Sequence, residues 1–501
     1  MTDHRPLLVA VDVGTTGARA AAIDLSGRLI AETRRPYRTR GPQPGWAEQD
    51  AADWEANAVA ALAGLARRLP QPKRVAAIGL TGQCPTVAPI GGDGRPVGPG
   101  MLYRDNRAVA EAAEMRDRVG VEAMHARTGH VATAFHIGPK VLWLRRQKPE
   151  VYAATRRFLQ PRDVVLRRLT GRDATDETHA AATLFFDLEA REWAEDLFGL
   201  FDVEPGRFPE AVAPWEAVAE LPSQTAAETG MPANIPVVIG AADSQCVAFG
   251  AGVVDPGPVS EMAGASSCLN SAVLRPLQDL AVTHYSHVVR GRFTTELGIN
   301  TTGAAVDWAV RRLGYGTHAA LGRHAERFAR RLARWRGDAR EAAPLFLPYL
   351  ADGDRDDPAL RGAFVGLSLR HDRPALAYAV LEGIAFAVEG ALSDLEAAGS
   401  PVEELRVSGG GAGLAVLSQI KADVLGRPVV ALRSDAAAIG TALLSGAAAG
   451  LSEEAAAAVS LVLASARRYE PSRSAGRLSD RREWYAETRA ATAMRQTWAA
   501  G

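Results

Sequence analysis

Residues 7–24 read LLVAVDVGTTGARAAAID and contain the most informative pattern in the chain. An apolar run over residues 7–11 ends at Asp12, and a second apolar run begins at Ala18 after a glycine-rich turn. A third run begins at Arg28, after a turn at Ser26 and Gly27. Short apolar runs separated by turn residues predict a three-stranded β-meander.

The turn between the first two runs is suited to a polyphosphate. Glycines let backbone N–H groups approach a phosphate closely, and threonine hydroxyls add further donors. Arg19 supplies a compensating positive charge, and Asp12 is a hard oxygen ligand suited to Mg²⁺. A plain hairpin turn is the alternative interpretation. The candidate phosphate-binding residues of the turn are Gly14, Thr15, Thr16 and Gly17.

A Walker A loop is excluded by the same stretch. Such a loop joins a strand to a helix and ends in Gly-Lys-Ser/Thr, which occurs nowhere in the sequence. The chain is therefore not predicted to be a P-loop NTPase.

Composition limits the possible partners. The 501 residues are 47% hydrophobic and 23% charged, which is typical of a globular protein with more than one domain. Lysine and arginine total 57 against 58 acidic residues, so no charge excess favours nucleic acid or an anionic membrane. The three cysteines form no C-x-x-C pair, and no 18-residue apolar stretch occurs. We expect a soluble cytoplasmic protein, and the sequence leaves a monomer or a homodimer open.

Polar residues follow two further predicted strands. Gly82 and Gln83 follow the apolar run 75–80, and Asp243 follows the run 236–239. Ligands bind at strand ends in α/β folds. An aspartate beside a buried strand end is costly unless it faces water, metal or substrate, although helix capping is an alternative for Asp243.

The second half of the sequence repeats the α/β alternation after a turn-rich connection at residues 253–258. We place the domain boundary there, which gives domains 1–254 and 255–501. Two glycine-rich segments of the second half are further candidates for nucleotide binding, with a small-residue turn and close helix–strand packing as alternatives. The first contains Gly264, Ala265, Ser266 and Ser267, and the second contains Gly409, Gly410, Gly411 and Gly413.

Short motifs that are informative in combination lie along nearly the whole chain. Those of the first half are VAVDVGTTGAR (9–19), GWAEQD (45–50), GLTGQ (79–83), YRDNR (103–107), PKVLWL (139–144), RDVVLRRLTG (162–171) and GAADS (240–244). Those of the second half are LPYL (347–350), GAFVGL (362–367), VLEGI (380–384), SGGGA (408–412) and QIKADVLG (419–426). Together these motifs resemble the FGGY carbohydrate kinases, particularly their xylulokinase branch.

The resemblance implies an α/β fold with two ribonuclease-H-like domains of the actin, hexokinase and Hsp70 type flanking a cleft. It also implies ATP and Mg²⁺ as cofactors, with Asp243 as the catalytic base and Asp12 and Asp243 as metal ligands. Residues 12–19 and 264–267 would hold phosphates, and residues 409–413 would hold adenosine. The substrate residues implied by the resemblance are Gln83, Cys84, Pro85, Tyr103, Asp105, Asp243 and Ser244.

The sequence departs from the family pattern at several of these positions. Cys84-Pro85 replaces Met-His, so the histidine expected to contact the sugar is missing, and Ala265 replaces a threonine whose hydroxyl Ser266 or Ser267 could supply. Further departures are Tyr103 for Trp, Ser244 for Asn or Gln, and Leu414 and Leu417 for Ser and Trp.

The prediction is therefore a kinase of a pentulose such as D-xylulose. Ribulose, glycerol, erythritol and gluconate are alternative substrates. A nucleotide-switched ATPase on the same fold is a less favoured alternative. A nicotinamide dehydrogenase is disfavoured because residues 409–413 lack the Gly-x-Gly-x-x-Gly spacing.

Overall fold

The computed structural model describes residues 5–351, 353, 360–472 and 478–497. The chain forms two compact units. The first contains the residues up to Val254 together with Val273–Thr295 and Ala436–Val462. The second contains Asp255–Ala272, Glu296–Asp435 and the residues from Leu463 onward. This division differs from a single cut after Val254, because later segments of the chain pack with the first unit.

The elements up to Val254 alternate between strands and helices. The strands are β1 (Leu7–Val13), β2 (Gly17–Asp24), β3 (Leu29–Pro36), β4 (Glu48–Gln49), β5 (Val75–Gly82), β6 (Ala88–Ile90), β7 (Gly100–Met101), β8 (Arg157–Leu159), β9 (Ala174–Asp176), β10 (Phe186–Asp187), β11 (Glu192–Trp193), β12 (Glu210–Val212), β13 (Ala217–Glu220) and β14 (Pro236–Val238). The helices are α1 (Ala51–Arg68), α2 (Val109–Val119), α3 (Val121–Thr128), α4 (Ile137–Gln147), α5 (Pro149–Ala154), α6 (Pro161–Thr170), α7 (Glu177–Ala181), α8 (Glu195–Leu200), α9 (Ser223–Thr229) and α10 (Asp243–Gly250).

The elements after Val254 continue this alternation. The strands are β15 (Gly257–Ala263), β16 (Ser267–Val273), β17 (Thr283–Ser286), β18 (Phe293–Ile299), β19 (Leu345–Leu347), β20 (Ala363–Val365), β21 (Val402–Ser408), β22 (Val429–Ala431) and β23 (Arg467–Tyr469). The helices are α11 (Gly303–Arg312), α12 (His318–Leu332), α13 (Ala339–Ala342), α14 (Arg373–Ala397), α15 (Ala415–Leu425), α16 (Ala436–Ala448), α17 (Ser452–Ser465) and α18 (Ser479–Thr497).

The main sheet of the first unit has the strand order β13-β14-β5-β1-β2-β3. Strands β1, β2 and β3 are antiparallel neighbours, so the predicted meander is confirmed. Strand β5 runs parallel to both β1 and β14. Almost every residue of β1 and β5 is buried, as expected for strands covered on both faces.

The sheet of the second unit repeats this arrangement. The strands of this seven-stranded sheet that extend into the second unit lie in the order β18-β16-β15-β21-β22-β23. Strand β15 pairs antiparallel with β16 and parallel with β21, as β1 does with β2 and β5. Both units are therefore α/β, and they share a pairing plan that no sequence repeat reveals.

Helix α16 belongs to the first unit because glycines let it approach that unit closely. A Cβ added at Gly79 of β5 would lie 2.4 Å from the Thr441 carbonyl oxygen of α16. A Cβ at Gly440 of α16 would lie 1.9 Å from the Cys246 carbonyl oxygen of α10. Real Cβ atoms do not approach so closely, and only glycine fits at these positions.

Helix α14 is the principal buried helix of the second unit. The Asp372 side chain caps it by accepting a hydrogen bond from the Ala375 N–H at 3.1 Å. By length and composition the helix could cross a membrane, but 78% of its most apolar stretch is buried inside the protein. Core helices of water-soluble proteins give the same pattern.

Candidate active site

Three strands of the first sheet end at the same edge. Asp12 of β1 lies level with Thr81 of β5, and Val13 lies level with Gly82. Gly82 forms a parallel bridge with Ala242, the residue before Asp243. Because the carboxyl ends of parallel strands meet at one edge, this register brings the backbones of Asp12, Gln83 and Asp243 into one region of the first unit.

The backbone that leads to Asp243 is tightly constrained. Gly240 has φ +69°, and a Cβ added there would lie 1.7 Å from the Leu80 carbonyl oxygen. The Thr81 hydroxyl donates to the Ala241 carbonyl at 2.7 Å, and the Ala242 N–H donates to the Thr178 hydroxyl at 2.9 Å. Hydrogen bonds from both sides therefore fix the turn before Asp243.

Arg162 anchors the same turn from inside the core. Its guanidinium donates to the Ile239 and Gly240 carbonyls at 3.0 and 3.1 Å. The guanidinium also pairs with Asp163 and Asp176, each at 2.8 Å. Burial alone would lower the pKa of Arg162, but Asp176 and Asp163 raise it. The arginine is therefore a permanent charge that ties helix α6 and strand β9 to the strand end.

Asp243 is the first residue of helix α10. The N-cap position belongs to Ala242, which has no side-chain capping bond, whereas the Asp243 carboxylate accepts the Ser244 N–H at 2.8 Å. Asp243 is half-buried, while Ser244 is 8% exposed. The predicted base thus stands at a helix start, where the helix dipole favours a negative charge.

The predicted phosphate turn is held by side chains that bind its carbonyl groups. Gln49 Nε2 donates to the Thr15 carbonyl at 2.7 Å, and Gln83 Nε2 donates to the Gly14 carbonyl at 3.4 Å. The Tyr37 hydroxyl also donates to the Gly14 carbonyl. Burial and the nearby Asp12 charge raise the pKa of Tyr37, which keeps its phenol protonated as a donor. These three side chains therefore hold the backbone of the turn through its carbonyl groups.

At the end of the turn, Gly17 packs closely against strand β3 and Arg19 forms an ion pair. A Cβ added at Gly17 would lie 2.5 Å from the Arg35 carbonyl oxygen. Arg19 lies opposite Asp12 in the β1–β2 ladder, and its Nε donates to Glu32 at 2.8 Å. Glu32 therefore already compensates part of the positive charge of Arg19, which the sequence analysis assigned to a bound phosphate.

Sequence reasoning assigned no role to Gln49, although it quoted the motif that contains it. Gln49 Oε1 accepts hydrogen bonds from Gln83 Nε2 and Trp54 Nε1, each at 2.9 Å. Gln49 therefore links the phosphate turn to the predicted sugar residue Gln83. Its place in the motif GWAEQD (45–50) was the signal that the sequence offered for it.

The predicted sugar residue Asp105 is fully buried. Its carboxylate accepts bonds from Arg107 Nε at 2.8 Å, from Arg107 Nη2 at 2.7 Å and from the Ala47 N–H at 2.6 Å. Arg107 lies 3.5 Å from the centre of the Trp46 ring. Asp105 thus orients Arg107 in the structure, because both of its oxygens are engaged within the protein.

Two further predicted sugar residues, Tyr103 and Cys84, lie near the buried Lys140, to which the sequence analysis assigned no role. The Tyr103 ring contacts Phe135, with ring centres 6.0 Å apart, and Lys140 Nζ donates to the Phe135 carbonyl at 2.5 Å. Cys84 is partly exposed and is joined to Pro85 by a cis peptide bond. Burial lowers the pKa of Lys140 to about 7, although Asp105 and Cys84 act in the opposite direction.

The second unit contains a cavity of about 310 Å³ that brings its two glycine-rich segments together. Predicted residues Gly264, Ala265, Gly410 and Gly411 line it, whereas Ser266, Ser267, Gly409 and Gly413 do not. Ser267 is buried and binds Glu261 Oε1 at 2.8 Å and Thr302 Oγ1 at 2.9 Å. Its hydroxyl is therefore used inside the protein, whereas Ser266 is exposed.

Gly303, Asp307 and His318 also line the cavity, and the sequence analysis did not identify them. A Cβ added at Gly303 would lie 2.2 Å from the Gly264 carbonyl oxygen, so helix α11 begins directly against the first glycine segment. Leu414 and Leu417, which depart from the family pattern, contribute apolar surface, and Asp307 binds His318 at 2.6 Å. A second cavity, of about 680 Å³, contains none of the predicted site residues.

Two models of one protein family match most of the chain. The sequence model of the FGGY family of carbohydrate kinases, N-terminal domain, matches residues 7–250, and that of the C-terminal domain matches residues 260–449. Xylulose kinase from Escherichia coli K12 is 27% identical over 84% of this chain and 85% of its own length. Glycerol kinase from Geobacter sp. strain M21 is 31% identical over 93% of this chain and 94% of its own length.

Solved structures of two kinases are similar to this chain over nearly its whole length. The xylulose kinase of Rhodospirillum rubrum is similar with a TM-score of 0.86 and 30% identity, covering 98% of this chain and 99% of that one. The xyloylose kinase of Brucella ovis has a TM-score of 0.85 at 29% identity, covering 97% and 99% of the two chains. These similarities confirm the predicted two-domain fold of the actin and hexokinase type.

Proposed function

Because the chain belongs to the FGGY family of carbohydrate kinases, we propose that it transfers the γ-phosphoryl group of ATP to a hydroxyl group of D-xylulose. The observation that carries the proposal is the position of Asp243. It starts helix α10 one residue beyond Ala242, at the sheet edge where β1 and β5 also end. Ligands of α/β folds bind at such strand ends.

In this proposal Asp243 accepts the proton of the attacking hydroxyl group. The sugar oxygen forms a bond to the γ-phosphorus while the bond from that phosphorus to the β–γ bridging oxygen breaks, and ADP leaves. The two glycine-rich phosphate segments hold the triphosphate, and catalysis consists mainly of positioning and charge stabilisation. The reaction needs no covalent enzyme intermediate.

The proposed Mg²⁺ site fits the residues present. Among the described residues, no cluster of three or more His, Cys, Asp or Glu side chains could hold a metal ion. Mg²⁺ usually binds through one or two carboxylates together with substrate phosphates and water. Asp12 of β1 and Asp243, which follows β14, offer two carboxylates at the sheet edge where these two strands and the intervening β5 end. When bound, the ion would neutralise charge on the phosphates.

Xylulose is our leading substrate because several similar proteins and structures are xylulose kinases. Glycerol is the second candidate, because glycerol kinases reach 30–31% identity over most of the chain. The Cys84-Pro85 pair, which replaces the expected Met-His, is consistent with a change of acceptor. The proposal includes a cytoplasmic location, supported by the small number of cysteines, three in 501 residues, which is typical of a reducing compartment.

A coupled assay of ADP release tests this proposal. The purified protein is incubated with ATP, Mg²⁺ and one acceptor at a time: xylulose, ribulose, glycerol, erythritol or gluconate. We expect one acceptor, xylulose first, to raise ADP release at least tenfold above the acceptor-free rate. A strong response to glycerol alone would replace xylulose as the substrate. ADP release that is independent of every acceptor would favour a nucleotide-switched ATPase and contradict the kinase proposal.

A further inference from the structure

A buried ion pair borders the cavity of the second unit. Lys421 Nζ donates to Glu261 Oε1 at 2.7 Å and to Glu261 Oε2 at 2.5 Å. The lysine side chain is 2% exposed and the glutamate side chain is fully buried. Both residues line the cavity together with Gly264 and Gly410. The pair therefore lies where the two glycine-rich segments meet.

The same pair is connected to the first glycine segment. Ser267 donates to Glu261 and also contacts the Thr302 hydroxyl at 2.9 Å. The Thr302 N–H donates to the Ala265 carbonyl at 3.0 Å. Glu261 thus joins helix α15, which carries Lys421, to the turn that contains Ala265.

Stability alone does not account for this ion pair. Removing two charges from water is costly, and well-packed apolar side chains of similar volume often stabilise a protein equally well or better. A lysine ammonium has three donor hydrogens. Within the described residues, Lys421 Nζ has hydrogen-bond partners only in the two oxygens of Glu261. One donor of a cavity-lining ammonium is therefore left for a ligand.

We propose that Lys421 is a nucleotide-positioning residue whose remaining N–H donates to a phosphate oxygen of the bound nucleotide. This inference rests on the proposed function, because it requires the cavity to bind ATP. An ammonium-to-phosphate hydrogen bond is charge-assisted on both sides and is therefore stronger than one to a neutral oxygen. Glu261 holds the ammonium in place, so the lysine needs little reorganisation when the nucleotide binds.

Calorimetric titration with ADP and with adenosine tests this role. The variants are Lys421→Gln and the apolar double variant Glu261→Leu/Lys421→Leu. The loss of one charged hydrogen bond predicts a roughly 10- to 100-fold weaker ADP affinity in both. Adenosine affinity should remain unchanged because adenosine has no phosphate. Thermal unfolding of each variant establishes that it is folded, and Lys421→Gln provides the test if the double variant does not fold.

A second buried pair of the same unit provides a matched control. Arg481 Nε donates to Glu382 at 2.8 Å, and neither residue lines the 310 Å³ cavity. We expect Glu382→Leu/Arg481→Met to leave ADP affinity unchanged. Folded Lys421 variants with wild-type ADP affinity would overturn the inference, as would an equal loss for adenosine. A wild-type protein that binds no nucleotide would overturn the proposed function itself, which is a distinguishable result.

Discussion

At the scale of single residues, Lys140 has the most unusual environment of the predicted sugar region. Its ammonium is fully buried and donates to the Phe135 carbonyl, while Asp105 is already engaged by Arg107. Burial disfavours the charged form and lowers the pKa to about 7, far below that of a free lysine. The residue therefore links the stability of the first unit to pH.

The sign of this linkage can be predicted. Because the pKa of Lys140 is about 7 in the folded protein and ordinary in the unfolded chain, the unfolded chain binds more protons between these values. The free energy of unfolding should therefore rise with pH from about 7 towards 10. Urea unfolding across this range should show a steeper rise for the wild type than for Lys140→Met. Equal slopes would contradict the lowered pKa.

The residues predicted from sequence are those whose chemistry is local. The glycine turn and Asp243 stand beside predicted strand ends, and a short window of sequence is enough to recognise them. Glu261 and Lys421 are 160 positions apart, and Gln49 and Gln83 are 34 apart. A single sequence does not reveal either pairing, because each depends on how distant segments of the chain pack together. The burial of Lys140 is likewise a consequence of tertiary packing.

At the scale of secondary-structure elements, the sequence pattern of helix α16 does not predict which part of the protein the helix packs against. The helix is buried along most of its length, so no polar stripe indicates which side it packs on. Its assignment to the first unit depends on Gly440 and on Gly250 of α10, where an added Cβ would lie 2.0 Å from the Ala436 carbonyl oxygen. The meander β1–β3 was predictable because its turns are short and local.

The contact between α10 and α16 gives a prediction about stability. Gly440→Ala should force the two helices apart and reduce the free energy of unfolding by about 1–3 kcal/mol, the usual cost of overpacking. Gly390→Ala in α14 is the matched control, because no atom lies within 4 Å of the added Cβ. It should be neutral or stabilising by up to about 1 kcal/mol. Similar denaturant midpoints for the two variants would contradict the close contact.

At the scale of the whole molecule, the two units have the same order of strand pairing but different tasks in the proposed reaction. In the first unit the equivalent hairpin carries Asp12 and the glycine turn, and in the second it carries Gly264 and Ala265. The sequence predicted the α/β class, but it could not predict that residues 436–462 belong to the first unit. That assignment depends on contacts between distant parts of the chain.

The central claim is that this kinase uses Asp243 as the base that activates its acceptor. The most direct measurement compares acceptor-dependent ADP release by wild type and Asp243→Ala, with ADP affinity measured on both and the exposed Asp117→Ala as control. We predict turnover lower by about 10²–10⁴-fold in Asp243→Ala, with nucleotide affinity and the Asp117→Ala control close to wild type. Normal turnover by a folded Asp243→Ala variant on its best acceptor would contradict the account.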